Sequence, residues 1–336
     1  MGGANAYDEG MKTWRLRVMF VIALAASSTF VACEASAFCR STTVATGASF
    51  TPKPDQCWDQ GLPLFWRNSC VGYHIQKSAS HYPMLSYDTV ADLTSRAFAK
   101  WSGAVCPTDG TGRSRVSIDV RDLGPADCKA IDYSRVNENT IAFHDDDWPH
   151  EKGIGTIALT TTNYVPSTGE LLDADMEVNS FEFKFTVGDP IGQGAYDLES
   201  VLTHEAGHFL GLAHSADALA SMYYQYEAGN SHMRNLTADD VAGICTVYRP
   251  DGLRSVLNGK IYPGPQCDPT PPRGQSEICY EPQANCTGRV AGHAQSENAW
   301  LGFGFAGLAG LLVRRASRSG ALRRTRSAPS DDHSRE

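Results

Sequence analysis

The sequence predicts an α+β fold across residues 62–250, and three observations carry that expectation. Segments with strand-like alternation or β-branched composition recur at residues 71–75, 116–120, 139–143, 154–164 and 171–179. Residues 88–101 and 198–210 instead repeat apolar side chains at helical spacing. Thr237-x-x-Asp240 has the form of a capping box and opens a last helix, in which Val241, Ile244 and Val247 share a face. Of the 336 residues, 42% are hydrophobic, enough for a packed domain, and the net charge of −9 argues against a nucleic-acid partner.

Residues 1–37 read as an N-terminal extension and signal peptide. Met11 offers a second start. Lys12, Arg15 and Arg17 form a basic stretch, residues 18–26 are apolar, and Ala35-Ser36-Ala37 is an A-x-A cleavage site. Lipidation at Cys33, behind Phe30-Val31-Ala32, is the alternative. Export makes disulfides the default state of the ten cysteines. Residues 38–61 form a Cys-containing arm rich in Thr, Pro and Gly, stapled to the domain. Leu64-Phe65-Trp66 and residues 71–75 suggest a first strand that can include Cys70.

The first helix, 88–101, turns Val90, Leu93, Ala97, Phe98 and Trp101 inward, with Asp88 or Thr89 as its cap. Residues 116–120 and 139–143 supply further strands. His144-Asp145-Asp146-Asp147-Trp148 reads as a solvated turn or, through some of its carboxylates, as a calcium site. Asp173, Asp175 and Glu177 alternate along 171–179 and so share one face, which either holds calcium or meets water. Asp197 caps the second helix, and Leu198, Val201, Leu202, Phe209 and Leu210 bury it.

That second helix carries the chemistry. His204 and His208, four apart, lie on one helical face and can aim ring nitrogens at a single ion. Gly211 accepts the left-handed conformation that ends a helix, so the chain can turn and bring His214 back to the same ion. Three protein ligands and one open position form the catalytic zinc arrangement. Glu205 lies one residue on from the first ligand, placed to take a proton from a water in the open position and pass it to a leaving group. The string HExxHxxGxxH fixes five positions in eleven residues. Met222 follows in Ser221-Met222-Tyr223-Tyr224 and can floor the three imidazoles.

These residues resemble the matrixin branch of the metzincins, zinc endopeptidases, here in a bacterial form. The zinc string, the turn at Met222, Asp173-Ala174-Asp175-Met176 ahead of the helix and residues 236–248 behind it match that pattern in order. The resemblance covers about residues 62–250 and implies a twisted mixed sheet with one antiparallel edge strand. It also implies three helices and a zinc site between upper and lower halves. Gly155, Thr156, Ile157, Ala158, Leu159 and Thr160 would form the edge that takes an extended protein or peptide substrate as an added strand. One catalytic zinc is implied, calcium is an optional second ion, and the protein is expected to act as a monomer. Tyr223 matches the matrixin tyrosine, whereas Tyr224 replaces the usual proline and has the spacing of a tyrosine that reaches zinc in other metzincins. The blocking motif PRCGxPD is absent, and Cys57 in Pro54-Asp55-Gln56-Cys57 is expected in a disulfide. The rival reading is a zinc-containing adhesin or binding module that does not cleave.

After residue 250 the composition changes. Residues 251–298 form a stalk rich in Pro and Cys. Residues 299–313 are apolar but shorter than the roughly 20 residues a membrane span needs. Residues 314–336 carry seven arginines against three acids. With Cys286 ahead of it, this end resembles a myxobacterial-type sorting tail. A plain membrane anchor is the alternative. Either reading places the protein outside the cell or on its surface, with membrane contact through residues 299–336.

Overall fold

The computed structural model describes residues 37–255, except 47–49, 55, 108–111, 113, 128–130, 132–137 and 154. It also describes 267–270 and the backbone of 261–263 and 309–313; of Ser255 it describes the backbone alone. The expectations for the signal peptide, Cys33, Cys286 and the arginine cluster fall outside those residues.

A mixed sheet forms the upper half. β2 (Cys70–Gln76) pairs in parallel with β3 (Asp119–Ala126) on one side and with β4 (Thr140–Phe143) on the other. β6 (Leu171–Val178) continues in parallel from β4. β5 (Thr156–Tyr164) then runs antiparallel to β6, as expected, but it is not the edge of the sheet. Beyond it lie β13 (Ala309–Val313), antiparallel to β5, and β10 (Gln225–Tyr226), parallel to β13. Outside this sheet, β7 (Phe185–Thr186) pairs in parallel with β8 (Tyr196–Asp197), and β11 (Leu253–Ser255) pairs antiparallel with β12 (Ile261–Pro263).

Two helices cover this sheet. α1 (Tyr87–Ser102) buries Val90, Leu93, Ala97, Phe98 and Trp101. Tyr73 of β2 stacks on Phe98 at 4.8 Å, and Phe98 meets Phe209 of α2 (Leu198–Phe209) edge-on at 5.0 Å. The core is therefore continuous from sheet to α1 to α2. α3 (Ala238–Val247) closes the lower half, with Ile244 and Val247 buried.

Several boundaries differ from the sequence expectation. Ser86 caps α1, its hydroxyl accepting from the Thr89 amide, so Asp88 and Thr89 fall inside the first turn. There Asp88 still favours the positive end of the helix. β3 starts at Asp119 and not Val116, because pairing with β2 begins at Cys70 opposite Asp119. The Val116 and Ser117 amides instead donate to Ala104 and Tyr248 carbonyls. Leu64-Phe65-Trp66 is separate from β2, and Phe65 bridges to Glu170. The face bearing Asp173, Asp175 and Glu177 does not meet water. All three are buried, with the Thr140 amide on Asp175, the Asn163 side chain on Asp173, and His144 and His150 on Glu177.

Three disulfides staple the domain: Cys39–Cys57, Cys106–Cys245 and Cys70–Cys267. The first closes the arm, whose β1 (Cys39–Arg40) pairs with β9 (Leu212–Ala213) just past α2. Packing continues beyond residue 250. Arg254, in β11 (Leu253–Ser255), is buried and donates to the carbonyls of Trp66, Asn68 and Ser117. No helix among the described residues is long and apolar enough to cross a membrane.

Candidate active site

α2 is fixed at both ends before its histidines are aimed. Asp197 caps it, Oδ2 accepting from the amide and hydroxyl of Ser200 at 2.9 and 2.8 Å. Arg234 holds that carboxylate in turn, Nη2 lying 2.6 Å from Asp197 Oδ1. At the other end two carbonyls that the helix leaves unpaired find side-chain donors. Trp66 Nε1 donates to Phe209 O at 2.7 Å, and Tyr248 Oη donates to Leu210 O at 2.9 Å. Gly211 then turns the chain at φ +91, where an added Cβ would lie 2.7 Å from the Leu64 carbonyl oxygen.

The turn brings His214 beside His208 and His204, with ring centroids 4.9 and 5.3 Å away. Nδ1 of His204 faces the Ser221 carbonyl at 2.6 Å, and Nδ1 of His208 faces the Leu212 carbonyl at 2.9 Å. A carbonyl accepts only from a protonated nitrogen, so each Nδ1 carries the hydrogen and each Nε2 keeps its lone pair. The two Nε2 atoms lie 3.1 Å apart, and one ligand atom from each of the three rings falls within 4.8 Å of the others. Nε2 of His214 has no hydrogen-bond partner although it is buried.

Burial holds the rings neutral. It lowers the pKa of His204 and His214 well below the ordinary histidine range, helped by the neighbouring rings, and lowers that of His208 to about 4. Three neutral imidazoles with converging lone pairs, one of them unpartnered, fit a zinc ion. Carbonyls orienting the distal nitrogens are the outer support such a site needs.

Glu205 is fully buried beside them. Thr160 of β5 donates its hydroxyl to Glu205 Oε2 at 2.7 Å, while Oε1 has no hydrogen-bond partner. Burial pushes this carboxyl up to about 8, opposed by the Thr160 hydrogen bond. Met222 is buried against α2 at Gly207, where an added Cβ would meet its sulfur at 2.2 Å and Trp101 at 2.9 Å. Tyr224 lies nearer the site, its ring 6.5 Å from that of His214, whereas Tyr223 packs against the core.

Of the expected edge, Thr156, Ile157, Ala158, Leu159 and Thr160 lie in β5, and Gly155 precedes it at φ +92. A cavity opens from Thr160, His208 and His214 toward the arm, reaching Arg40, Phe50 and Trp58. The calcium candidates on β6 have protein partners. Asp175 accepts from the Thr140 amide, Asp173 from the Asn163 side chain, and Glu177 lies between His144 and His150 at 2.7 and 2.9 Å. The other close cluster of ligand-type atoms among the described residues is Cys70, Asp119 and Cys267, whose sulfurs are joined as a disulfide.

Some supporting residues carry no short-range signal in the sequence. Asp240 accepts from the amides of Ser221 and Met222 as well as from Thr237, so it holds the methionine turn from α3. The capping box reveals only the Thr237 half. Asp239 accepts from the amides of Ala37 and Phe38 at 2.7 and 2.9 Å and from Ser215 Oγ, tying the arm to the chain just past His214.

Comparison with known proteins agrees with this arrangement. The sequence is 31% identical over 189 residues to metalloendoproteinase 1-MMP of Arabidopsis thaliana, covering 55% of this chain and 45% of that protein. It is 32% identical over 195 residues to human matrix metalloproteinase-20, covering 58% and 34%. For human matrilysin the identity is 29% over 185 residues, covering 54% and 58%. The matching region thus spans less than two thirds of each relative. The family model for Peptidase_M10, matrixin, matches residues 65–249, which is more than half of the chain and includes every strand of the sheet but β13, both helices that cover it and the three histidines. With that match laid over this site, the chain belongs to the matrixin family.

Proposed function

We propose that the protein is an exported zinc metalloendopeptidase that hydrolyses peptide bonds in extended protein or peptide substrates. One observation carries the reading most directly. The buried Glu205 side chain, with one oxygen free of any hydrogen bond, lies beside three neutral histidines whose lone pairs converge. His204, His208 and His214 would hold the zinc, which when bound lowers the pKa of water and polarises a carbonyl.

The chain's own groups divide the remaining work. Thr160 fixes Glu205 through Oε2 and so presents Oε1 to a water. Glu205 takes one proton as the water oxygen bonds to the scissile carbonyl carbon. It then delivers that proton to the amide nitrogen as the C–N bond breaks, leaving a carboxylic acid and an amine. Residues 155–160 supply the backbone donors and acceptors along which the substrate lies extended. Met222, pressed into the gap at Gly207, keeps the histidine-bearing turn in place.

Export is supported by the signal-like residues 1–37, with cleavage after Ala37 or lipidation at Cys33, and by three disulfides in the described domain. The arginine-rich end, read as a sorting tail or anchor of bacterial type, would keep the protein at the cell surface until it is processed. The protein is read as acting as a monomer.

The test is hydrolysis of a mixed-sequence peptide library by the zinc-loaded full chain, with Glu205→Ala alongside and zinc measured on both. Wild type is expected to cut, a chelator to stop it, and Glu205→Ala to bind zinc while losing about 10²–10⁴-fold in rate. Zinc bound by both, with no cleavage by wild type or by a chain lacking residues 299–336, would overturn the peptidase reading in favour of a zinc-containing binding module.

A further inference from the structure

β13 comes from the apolar stretch that the sequence sets apart as a tail. Its backbone joins the sheet at β5, with Ala309 opposite Thr160, Gly310 opposite Leu159 and Leu312 opposite Thr156. On its other side it runs parallel to β10, with Leu312 opposite Gln225 and Val313 opposite Tyr226.

β5 lines the cavity at His208 and His214, and β10 follows the turn at Met222. β5 carries Thr160, whose hydroxyl holds Glu205. β10 begins three residues after Met222. A strand bonded to both lies between the upper half and the lower half, in the position where an extended substrate would add to the edge. The register shifts between Gly310 and Leu312, so Ile157 and Ala158 together face Leu311. Two residues opposing one is the geometry of a β-bulge, which bends a ladder without ending it.

We propose that Ala309–Val313 is an intramolecular ligand of the substrate cleft, a segment of the chain that occupies the substrate's strand position and competes with it. The inference rests on the reading of this cleft as a substrate site. An edge strand presents a row of backbone donors and acceptors, and an added segment satisfies them whatever its side chains. A tethered segment does so at the high effective concentration of an intramolecular partner. Residues 299–313 suit the position, because they contain no charged residue and four glycines. Occupancy of this kind also supplies a restraint on activity in a chain whose sequence lacks the PRCGxPD blocking motif.

The experiment compares two full chains that both carry Glu205→Ala and so do not cut. One has the natural tail, and the other adds Gly310→Pro and Leu312→Pro. Proline donates no hydrogen bond, so the pair breaks the β13 ladder while leaving every residue of the site in place. Amide hydrogen exchange at residues 156–160 is expected to be at least about tenfold faster in the proline variant, with α1 unchanged. A fluorescent synthetic peptide of residues 305–317 is expected to bind the proline variant at least about tenfold more tightly than the natural chain. Equal exchange at 156–160, or equal peptide binding by both chains, would overturn the proposal. Neither readout depends on catalysis, so failure of the zinc-loaded proline variant, with Glu205 restored, to cut any peptide would sink the peptidase reading and leave this result standing.

Discussion

Glu205 shows how much of the chemistry is local and how much is not. His204, Glu205, His208 and Gly211 are legible in the sequence because one helix and one left-handed turn convert their spacing into geometry. Thr160 holds Glu205 from 45 positions away, and no local pattern announces that contact. Thr160→Val removes the hydroxyl at nearly constant volume and frees the carboxylate to rotate. The expected outcome is a fall in kcat of about 10-fold or more, with KM little changed, read from steady-state peptide hydrolysis. Gly207 is equally hidden, because a glycine inside a helix reads only as a small residue. Its missing Cβ is the space that Met222 and Trp101 fill. Gly207→Ala is expected to cost about 1–3 kcal/mol by overpacking, seen as a lowered midpoint in chemical denaturation.

At the scale of elements, periodicity locates the helices well and their joints poorly. α1, α2 and α3 lie where apolar spacing puts them, since each buries a stripe that repeats every 3.6 residues. The cap of α1 at Ser86 and the start of β3 at Asp119 depend on neighbours instead. α3 carries the clearest case. The Thr237–Asp240 box is visible as a helix start, but the same carboxylate reaches across to the amides of Ser221 and Met222. Ser221 in turn orients His204 through its carbonyl. Asp240→Ala should therefore do two things. It should lower stability by about 2–4 kcal/mol, from the lost cap and the buried amides left unpaired. It should also weaken zinc binding by about 10–100-fold, measured by competition with a chelator. A variant that loses stability but holds zinc as before would show that the turn does not need this support.

For the whole molecule, long connections decide the architecture. Cys70–Cys267 closes a loop of 197 residues, joining β2 to a segment that composition alone assigns to a stalk. Cys70→Ser with Cys267→Ser is expected to lower unfolding free energy by about 2–5 kcal/mol, read from denaturant midpoints of the oxidised chains. The sequence by itself determined the three-histidine string with its glutamate, the position of Met222 and the α+β class, because each is written at short range in residue type and spacing. The tertiary structure alone decided what lies across those elements: Thr160 on Glu205, Asp240 on the methionine turn, buried carboxylates on β6 in place of a wet face, and the C-terminal strand beside β5. The reason is physical. Strand order, cross-sheet hydrogen bonds and burial depend on which distant segments meet, and no period in the sequence records that.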